Sequence, residues 1–370
     1  MTNLPDWAYA AALSRVPGCG ATAAFRLLAL HDPVEAYDRA VAQSVHQGSR
    51  VDVDTVARIH DECVALGIGV TWVREPGFPL VLAAGPGPCG FFFFRGDLSI
   101  TAGRRVGVVG TRTPTPSGVY TAREIGDGLA RAAVHVVSGL AKGIDGAAHD
   151  GVRGAHDESG CAGRAIAVVG SGLDVVYPRA NAGLWQWVGE AGLILSEQPP
   201  GAAAEPHHFP RRNRIIAALS EVVVVVESRE SGGSMSTVRQ AIERQREVLA
   251  VPGSPRVASS AGTNLLIQQG CGIVTCAADI LSALALDHRH ADAVSHDERV
   301  APEPRDVVVL EACSHGPVTL DNLVMSTGWS IADLATALGR LEATGWVVEE
   351  RGWWEALLLR RGRHTGERIS

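Results

Sequence analysis

Residues 209–253 read FPRRNRIIAALSEVVVVVESRESGGSMSTVRQAIERQREVLAVPG. At the centre, Val222 to Val226 form an unbroken β-branched run with no polar alternation, the pattern of a strand covered by helices on both faces. Such a strand belongs in the middle of a parallel sheet. Three arginines precede it (Arg211, Arg212, Arg214) and a glycine-serine loop follows it, so the functional question is what that loop and those cations hold.

Working outward, short apolar runs at 105–110, 134–138, 164–169, 193–196, 222–227 and 248–251 alternate with amphipathic segments, which predicts βαβ units and a parallel sheet over residues 71–285. Each run ends in a loop rich in Gly, Ser or Thr. Ligands of such sheets bind beyond the carboxyl ends of the strands, so these loops are the candidate site. Residues 1–70 show helical spacing and a Gly18-Cys19-Gly20 turn that suggests a helix-hairpin-helix; with Lys and Arg sparse there, a plain tight turn is the preferred reading.

The 370 residues allow two or three domains, and 46% hydrophobic with 20% charged residues describes an ordinary globular chain. The longest apolar run is too short to span a bilayer, and the N-terminus has no basic segment before its apolar residues, so a cytoplasmic location is expected. Seven cysteines without a C-x-x-C pair argue against a disulfide framework or structural zinc. A net charge of −7 disfavours a polyanionic partner globally, but local fields in a cleft decide phosphate binding.

Gly110-Thr111-Arg112 leads through Thr115 to Gly118 at the start of a helix, where free amides, hydroxyls and the Arg112 fork make an anion site. The spacing is not a dinucleotide fingerprint, and the Gly170-Ser171-Gly172 loop lacks its third glycine, so NAD is a weak alternative. A second loop runs from Ser138 and Gly139 through Lys142 and Gly143 to His149. Lys142 is read as functional, Asp145 as a helix cap and His149 as a buried structural group.

These motifs resemble those of the DprA/Smf family of DNA-processing proteins. The pattern G-[ST]-R-x-x-[ST]-x-x-G is met by Gly110, Thr111, Arg112, Thr115 and Gly118, and S-G-x-A-x-G-I-D-x-x-A-H from Ser138 to His149. Further matches are Tyr177-Pro178, Phe209-Pro210 with Arg212-Asn213-Arg214, Ala250 to Gly253, and Gly262-Thr263-Asn264; Ser117 and the Ser231–Thr237 stretch depart from the pattern. The resemblance implies an α/β fold: an extended Rossmann-like core (71–285), an N-terminal helical domain of the SAM or helix-hairpin-helix kind (1–70), a linker (286–304) and a winged helix (305–362). It also implies binding of single-stranded DNA, loading of the RecA recombinase in transformation or recombination, and a homodimer.

The groove is therefore expected to hold phosphates with Arg112, Lys142, Arg211, Arg212, Asn213 and Arg214, and with the amides around Ser231, Gly232, Gly233 and Ser234. Tyr177 and Phe209 could stack on bases, but core packing beside their prolines is the preferred reading. The serious rival is a nucleotide-hydrolysing enzyme or a nucleotide sensor. Related glycosidases carry a glutamate after P-G-G-x-G-T-x-x, where this chain has Arg239 or Gln240, so no catalytic residue and no cofactor are assigned. His288, His290 and His296 read as part of a solvated hinge rather than a metal site. The third helix of the C-terminal domain carries Asp333, Arg340 and Glu342 and the wing Glu349, Glu350 and Glu355, a poor face for phosphates, so protein contact is favoured, with Trp353 and Trp354 as candidates.

Overall fold

A computed structural model describes residues 4–286, 302–303, 305–314, 318–350 and 352–356. The chain divides into two compact units, Met1–Asp287 and His288–Ser370.

The first unit is built on a nine-stranded sheet of order β1-β2-β6-β5-β4-β3-β7-β8-β9. The six predicted strands are present as β3 (Arg105–Val109), β4 (His135–Ser138), β5 (Ala165–Val168), β6 (Leu193–Ser196), β7 (Val222–Val225) and β8 (Glu247–Ala250). From β6 to β9 (Gly272–Ile273) every neighbouring pair is parallel. β7 lies between β3 and β8, and all five valines from Val222 are buried, as an unalternated apolar run requires. Two strands absent from the sequence reading, β1 (Gly69–Trp72) and β2 (Phe91–Gly96), extend the sheet antiparallel from β6. Phe91, Phe92 and Phe93 are all buried there, because the helices of the N-terminal segment cover β2 as well.

The connections run β3-α5-β4-α6-β5-α7-β6 in one direction along the sheet, with α5 (Pro116–Arg131), α6 (Ile144–Ser159) and α7 (Ala182–Ala191); α8 (His208–Leu219) and α9 (Ser234–Glu243) serve the return through β7 to β8. Right-handed crossovers place these two groups on opposite faces. α5 and α6 approach closely because a Cβ on Gly126 would lie 2.1 Å from the Ala148 carbonyl oxygen. After β8 come α10 (Ala261–Gln268) and α11 (Ala277–Leu286).

The N-terminal helices are α1 (Asp6–Ala12), α2 (Ala21–Leu30), α3 (Pro33–His46) and α4 (Thr55–Leu66). Ala8, Ala10, Ala11, Ala12 and Leu13 are fully buried in the same apolar core as Phe92 and the strands, so these helices are a layer on the sheet rather than a separate body. A boundary at residue 70 falls inside β1. The physical reason is size, since about 70 residues of small side chains bury too little apolar surface by themselves.

The second unit has its own core, including Val309, Leu323, Leu334, Leu338 and Val347. Its helices α12 (Val307–Ser314), α13 (Leu320–Thr327) and α14 (Ile331–Ala343) are joined by a sheet of order β10-β12-β11 (Val318–Thr319, Trp353–Ala356, Val347–Glu350), a helix-turn-helix with a hairpin wing. Most of the 286–304 linker, with His288, His290 and His296, lies outside the described residues. Among the described residues no helix is long and apolar enough to cross a membrane.

Candidate nucleic-acid interface

The strand order reverses between β3 and β7, and a crevice is expected at such a switch point. Here the protein fills it. Glu227, buried at the end of β7, accepts hydrogen bonds through its carboxylate from the Thr115 amide (3.0 Å) and the Thr115 hydroxyl, while its carbonyl accepts from the Thr111 amide (2.7 Å). Thr115 in turn caps α5 by accepting from the Gly118 amide at 3.0 Å. A Cβ on Gly118 would lie 2.5 Å from the Glu227 carboxyl carbon, and one on Gly110 would lie 2.8 Å from the Glu227 carbonyl oxygen. The α5 anion site expected from the sequence is thus occupied by an internal carboxylate, and Gly110, Thr115 and Gly118 shape the loop instead of gripping phosphate.

The glycine-serine loop is also turned on itself. The Met235 and Ser236 amides donate to the Gly232 and Gly233 carbonyls (3.0 and 3.2 Å), and the Ser234 hydroxyl donates to that of Ser228 (2.8 Å). Asn213 reaches only the Gly233 carbonyl, at 3.5 Å. Ser231, Gly232, Gly233, Ser234 and Asn213 do not line the cavity described next. Ser138 is likewise structural, buried with its hydroxyl donating to the Val108 carbonyl at 2.6 Å.

The cavity opens over the carboxyl ends of β3, β4 and β5. It gathers Arg112, Gly139, Lys142, Gly170 and Arg212 from the sequence-predicted set, and adds Ser171, Tyr177 and Phe209. Its own volume is about 110 Å³, but it shares Lys142, Tyr177 and Pro178 with a groove of 720 Å³ on one side and Gly170 and Arg212 with a groove of 570 Å³ on the other. A cavity flanked on both sides by larger grooves suits a chain better than a single free nucleotide.

The three arginines of α8 point three ways. Arg211 is exposed and makes no ion pair among the described residues. Arg212 is buried beneath the β4 loop, where it donates to the Val168 carbonyl (2.8 Å) and lies 4.0 Å from the Asp145 carboxylate. Burial pushes its guanidinium down to about 10, with Asp145 opposing the fall. Gly139 has to be glycine, since a Cβ would lie 1.6 Å from an Arg212 nitrogen. Asp145 anchors this corner by accepting from the Gly139 amide at 3.1 Å; burial raises its carboxyl and Arg212 lowers it in part. Arg214, largely buried at the wall of the 570 Å³ groove, is ion-paired with Glu197 at 2.6 Å, which takes up its charge internally. His149 is fully buried and pushed down to about 4 by that burial, so it is neutral at neutral pH, in keeping with its structural reading.

At the mouth, the Arg112 guanidinium stands over the Phe209 ring, 4.6 Å from its centroid, and Tyr177 lies 5.7 Å from Phe209 with the rings tilted by 38°. Tyr177 is 45% exposed, so the sequence preference for core packing is corrected: both rings belong to the furrow wall. Cation–π contact holds the guanidinium plane as a continuation of the aromatic surface. Lys142 is exposed just before α6, where the turn needs Gly143 at φ +84°. Thr111 is half-buried, its hydroxyl accepting from the Thr113 amide at 3.2 Å. Glu205, His207 and His208 bring three ligand atoms within 4.8 Å, but they sit at the positive end of α8 beside Arg211, a poor place for a cation.

Fold and site together define a Rossmann-like protein with a basic, aromatic furrow at the carboxyl ends of its parallel strands, and a second unit that is a winged helix. The family model for DNA recombination-mediator protein A matches residues 69–285, and that for the DprA winged helix domain matches residues 297–352. A putative DNA processing protein DprA of Mycobacterium tuberculosis is 33% identical over 385 residues, covering 96% of this chain and 95% of its own. The X-ray structure of DNA processing protein A from Streptococcus pneumoniae superposes with a TM-score of 0.63 at 30% identity, over 74% of this chain and 97% of that one. A solved structure of DNA processing protein A from Helicobacter pylori, described for its single-stranded DNA binding mode, gives 0.52 at 26% identity over 60% of this chain and 96% of that one. The chain belongs to the DprA/Smf family.

Proposed function

We propose that the protein is a non-catalytic mediator of DNA recombination: it holds single-stranded DNA in the furrow and, as a cytoplasmic homodimer, passes it to a RecA recombinase during transformation or recombination. The observation that carries the DNA-binding part is the Arg112–Phe209–Tyr177 surface set between Lys142 and Arg212. Such a wall offers π-faces to any base and cations to the backbone, the sequence-tolerant way to bind a single strand. The RecA and dimer parts rest on the family. A non-enzymatic role is supported by Arg239, which is exposed, and Gln240, which donates to Glu243 at 3.0 Å, at the positions where the related glycosidases need a carboxylate. A gel-shift comparison of single-stranded DNA, duplex and mononucleotide tests the reading; preference for the mononucleotide overturns it in favour of a nucleotide sensor.

The salt dependence follows from which cations are free. Arg112, Lys142 and Arg211 face solvent, whereas Arg212 is buried, Arg214 is largely so, and both are bonded internally. Three phosphate contacts to a single strand give a slope of log affinity against log salt of about −2. A slope near zero in a fluorescence titration points instead to stacking alone.

The winged helix is expected to contribute little to strand binding. Arg340 is taken up by Asp306 at 2.7 Å, and Arg305 lies 4.7 Å over the Trp329 ring and 3.4 Å from Asp333. Exposed Met325, Ile331 and Trp353 suit a protein contact better than a phosphate backbone. A chain ended at residue 287 should keep single-strand affinity within about threefold, a difference of under ~1 kcal/mol. Loss of most of the affinity in a truncated protein that stays folded by circular dichroism assigns DNA contact to the winged helix.

A further inference from the structure

The turn before α2 takes no part in the cavity, yet it forms a wall of the 570 Å³ groove into which the cavity opens. Gly18, at φ +81°, closes the turn, and α2 starts from Gly20 with no side-chain cap. Ala21, Thr22 and Ala23, the first turn of this ten-residue helix, all line the groove, so uncapped amides and the positive end of the helix dipole lie at its wall. Arg211 lies opposite, exposed and without an ion pair among the described residues.

A second, independent feature lies between the two walls. The Arg212 side chain is only 7% exposed and borders both cavity and groove, yet its buried Nε has no hydrogen-bond acceptor. A buried donor left unsatisfied costs about 1–3 kcal/mol, a cost that a ligand oxygen at the Arg212 edge of the groove relieves once the side chain turns toward it. The nearby Glu197 cannot serve, because its carboxylate is committed to Arg214.

The groove is held in shape. Ala24 and Leu28 bury the other face of α2, and Gly90 admits the helix against β2, since a Cβ there would lie 2.6 Å from the Phe25 Cα. Arg15 bridges the Glu62 carboxylate and the Pro200 carbonyl, the latter at 3.3 Å, which ties the helical layer to the loop after β6.

We propose that the strand leaving the cavity turns into this groove, where a second backbone phosphate is held between the first turn of α2 and Arg211, with the buried edge of Arg212 between the two positions. This rests on the single-strand reading of the cavity and extends it, making the N-terminal helical layer part of the nucleic-acid interface.

Oligothymidines of about 4 and about 16 nucleotides separate the two positions, because only the longer strand reaches both. Thr22 is exposed in the first turn of α2, and glutamate there favours the helix dipole while repelling phosphate, so Thr22→Glu should fold normally. The expected result is about fivefold to tenfold weaker binding of the long strand with the short one unchanged. Thr22→Lys should shift long-strand affinity the opposite way, and Arg211→Ala should weaken it selectively. Wild-type binding of both lengths with no effect of either Thr22 change overturns the inference and leaves the cavity reading intact. Failure of the wild-type protein to bind either length overturns both.

Discussion

Arg112→Ala is expected to weaken oligothymidine binding by about tenfold to 100-fold at moderate salt, the loss of about 1–3 kcal/mol that goes with one stacking or charged contact to a base or phosphate. Arg112 is exposed and its one ring contact is Phe209 at 4.6 Å, so the unfolding midpoint should move by no more than a surface substitution allows, about 0.5 kcal/mol. Lys142→Ala removes a point charge but no stacking plane, and the expected loss is smaller. Phe209→Leu keeps apolar volume while removing the ring beneath the guanidinium. If Arg112 acts through that ring, the double variant loses less than the sum of the single losses, as groups in contact do. Binding of Arg112→Ala as tight as wild type removes the furrow from consideration as the strand site.

The parallel core was legible because its cause is local: Val222 to Val226 carry no polar residue, and such a run tolerates only a position covered on both faces. β1 and β2 were not read, although Phe91 to Phe94 form a run of the same kind, because nothing in that run indicates that it pairs antiparallel with the distant β6. The site divides along the same line. Arg112 and Lys142 come from loops whose length and glycines fix them at strand ends, and both line the cavity.

Glu227 shows what the sequence conceals. It follows the valine run directly and reads as the end of a strand, yet its carboxylate caps the loop after β3, more than a hundred residues earlier in the chain. The anion site drawn from that loop's small residues is real as a device, but its anion is internal. Tyr177 and Phe209 failed in the opposite sense. Tyr177 lies in a loop with no helical or strand face to bury it, and Phe209 stands in the first turn of α8 beside Pro210, half-buried under the Arg112 guanidinium.

The arginines of α8 had a readable signal. Arg212, Ile215, Ile216 and Leu219 stand at i, i+3, i+4 and i+7, which puts Arg212 on the buried stripe of any helix starting near His208. Arg211 falls outside that repeat and is exposed. Counting all three as one basic cluster overlooked the 3.6-residue period.

Arg214 gives the sharpest test of this partition, because family resemblance groups it with phosphate ligands while the structure pairs it with Glu197. Both side chains are largely buried and 2.6 Å apart. Burial alone lowers the Arg214 guanidinium, but the Glu197 carboxylate more than offsets it and holds the group above its ordinary value. Arg214→Ala leaves Glu197 as an uncompensated buried charge, a loss of about 3–5 kcal/mol that should lower the thermal midpoint by roughly 5–10 °C. Arg214→Met combined with Glu197→Leu removes both charges and should recover most of that stability, since an apolar pair of similar size replaces an ion pair at little cost. The salt slope of strand binding in the double variant should stay near that of wild type, because the charge removed with Arg214 was already taken up by Glu197. An Arg214→Ala protein that melts as wild type does, but binds single strands with a slope reduced by about one contact, means that Arg214 reaches the phosphates and that the buried pair has been given the wrong role.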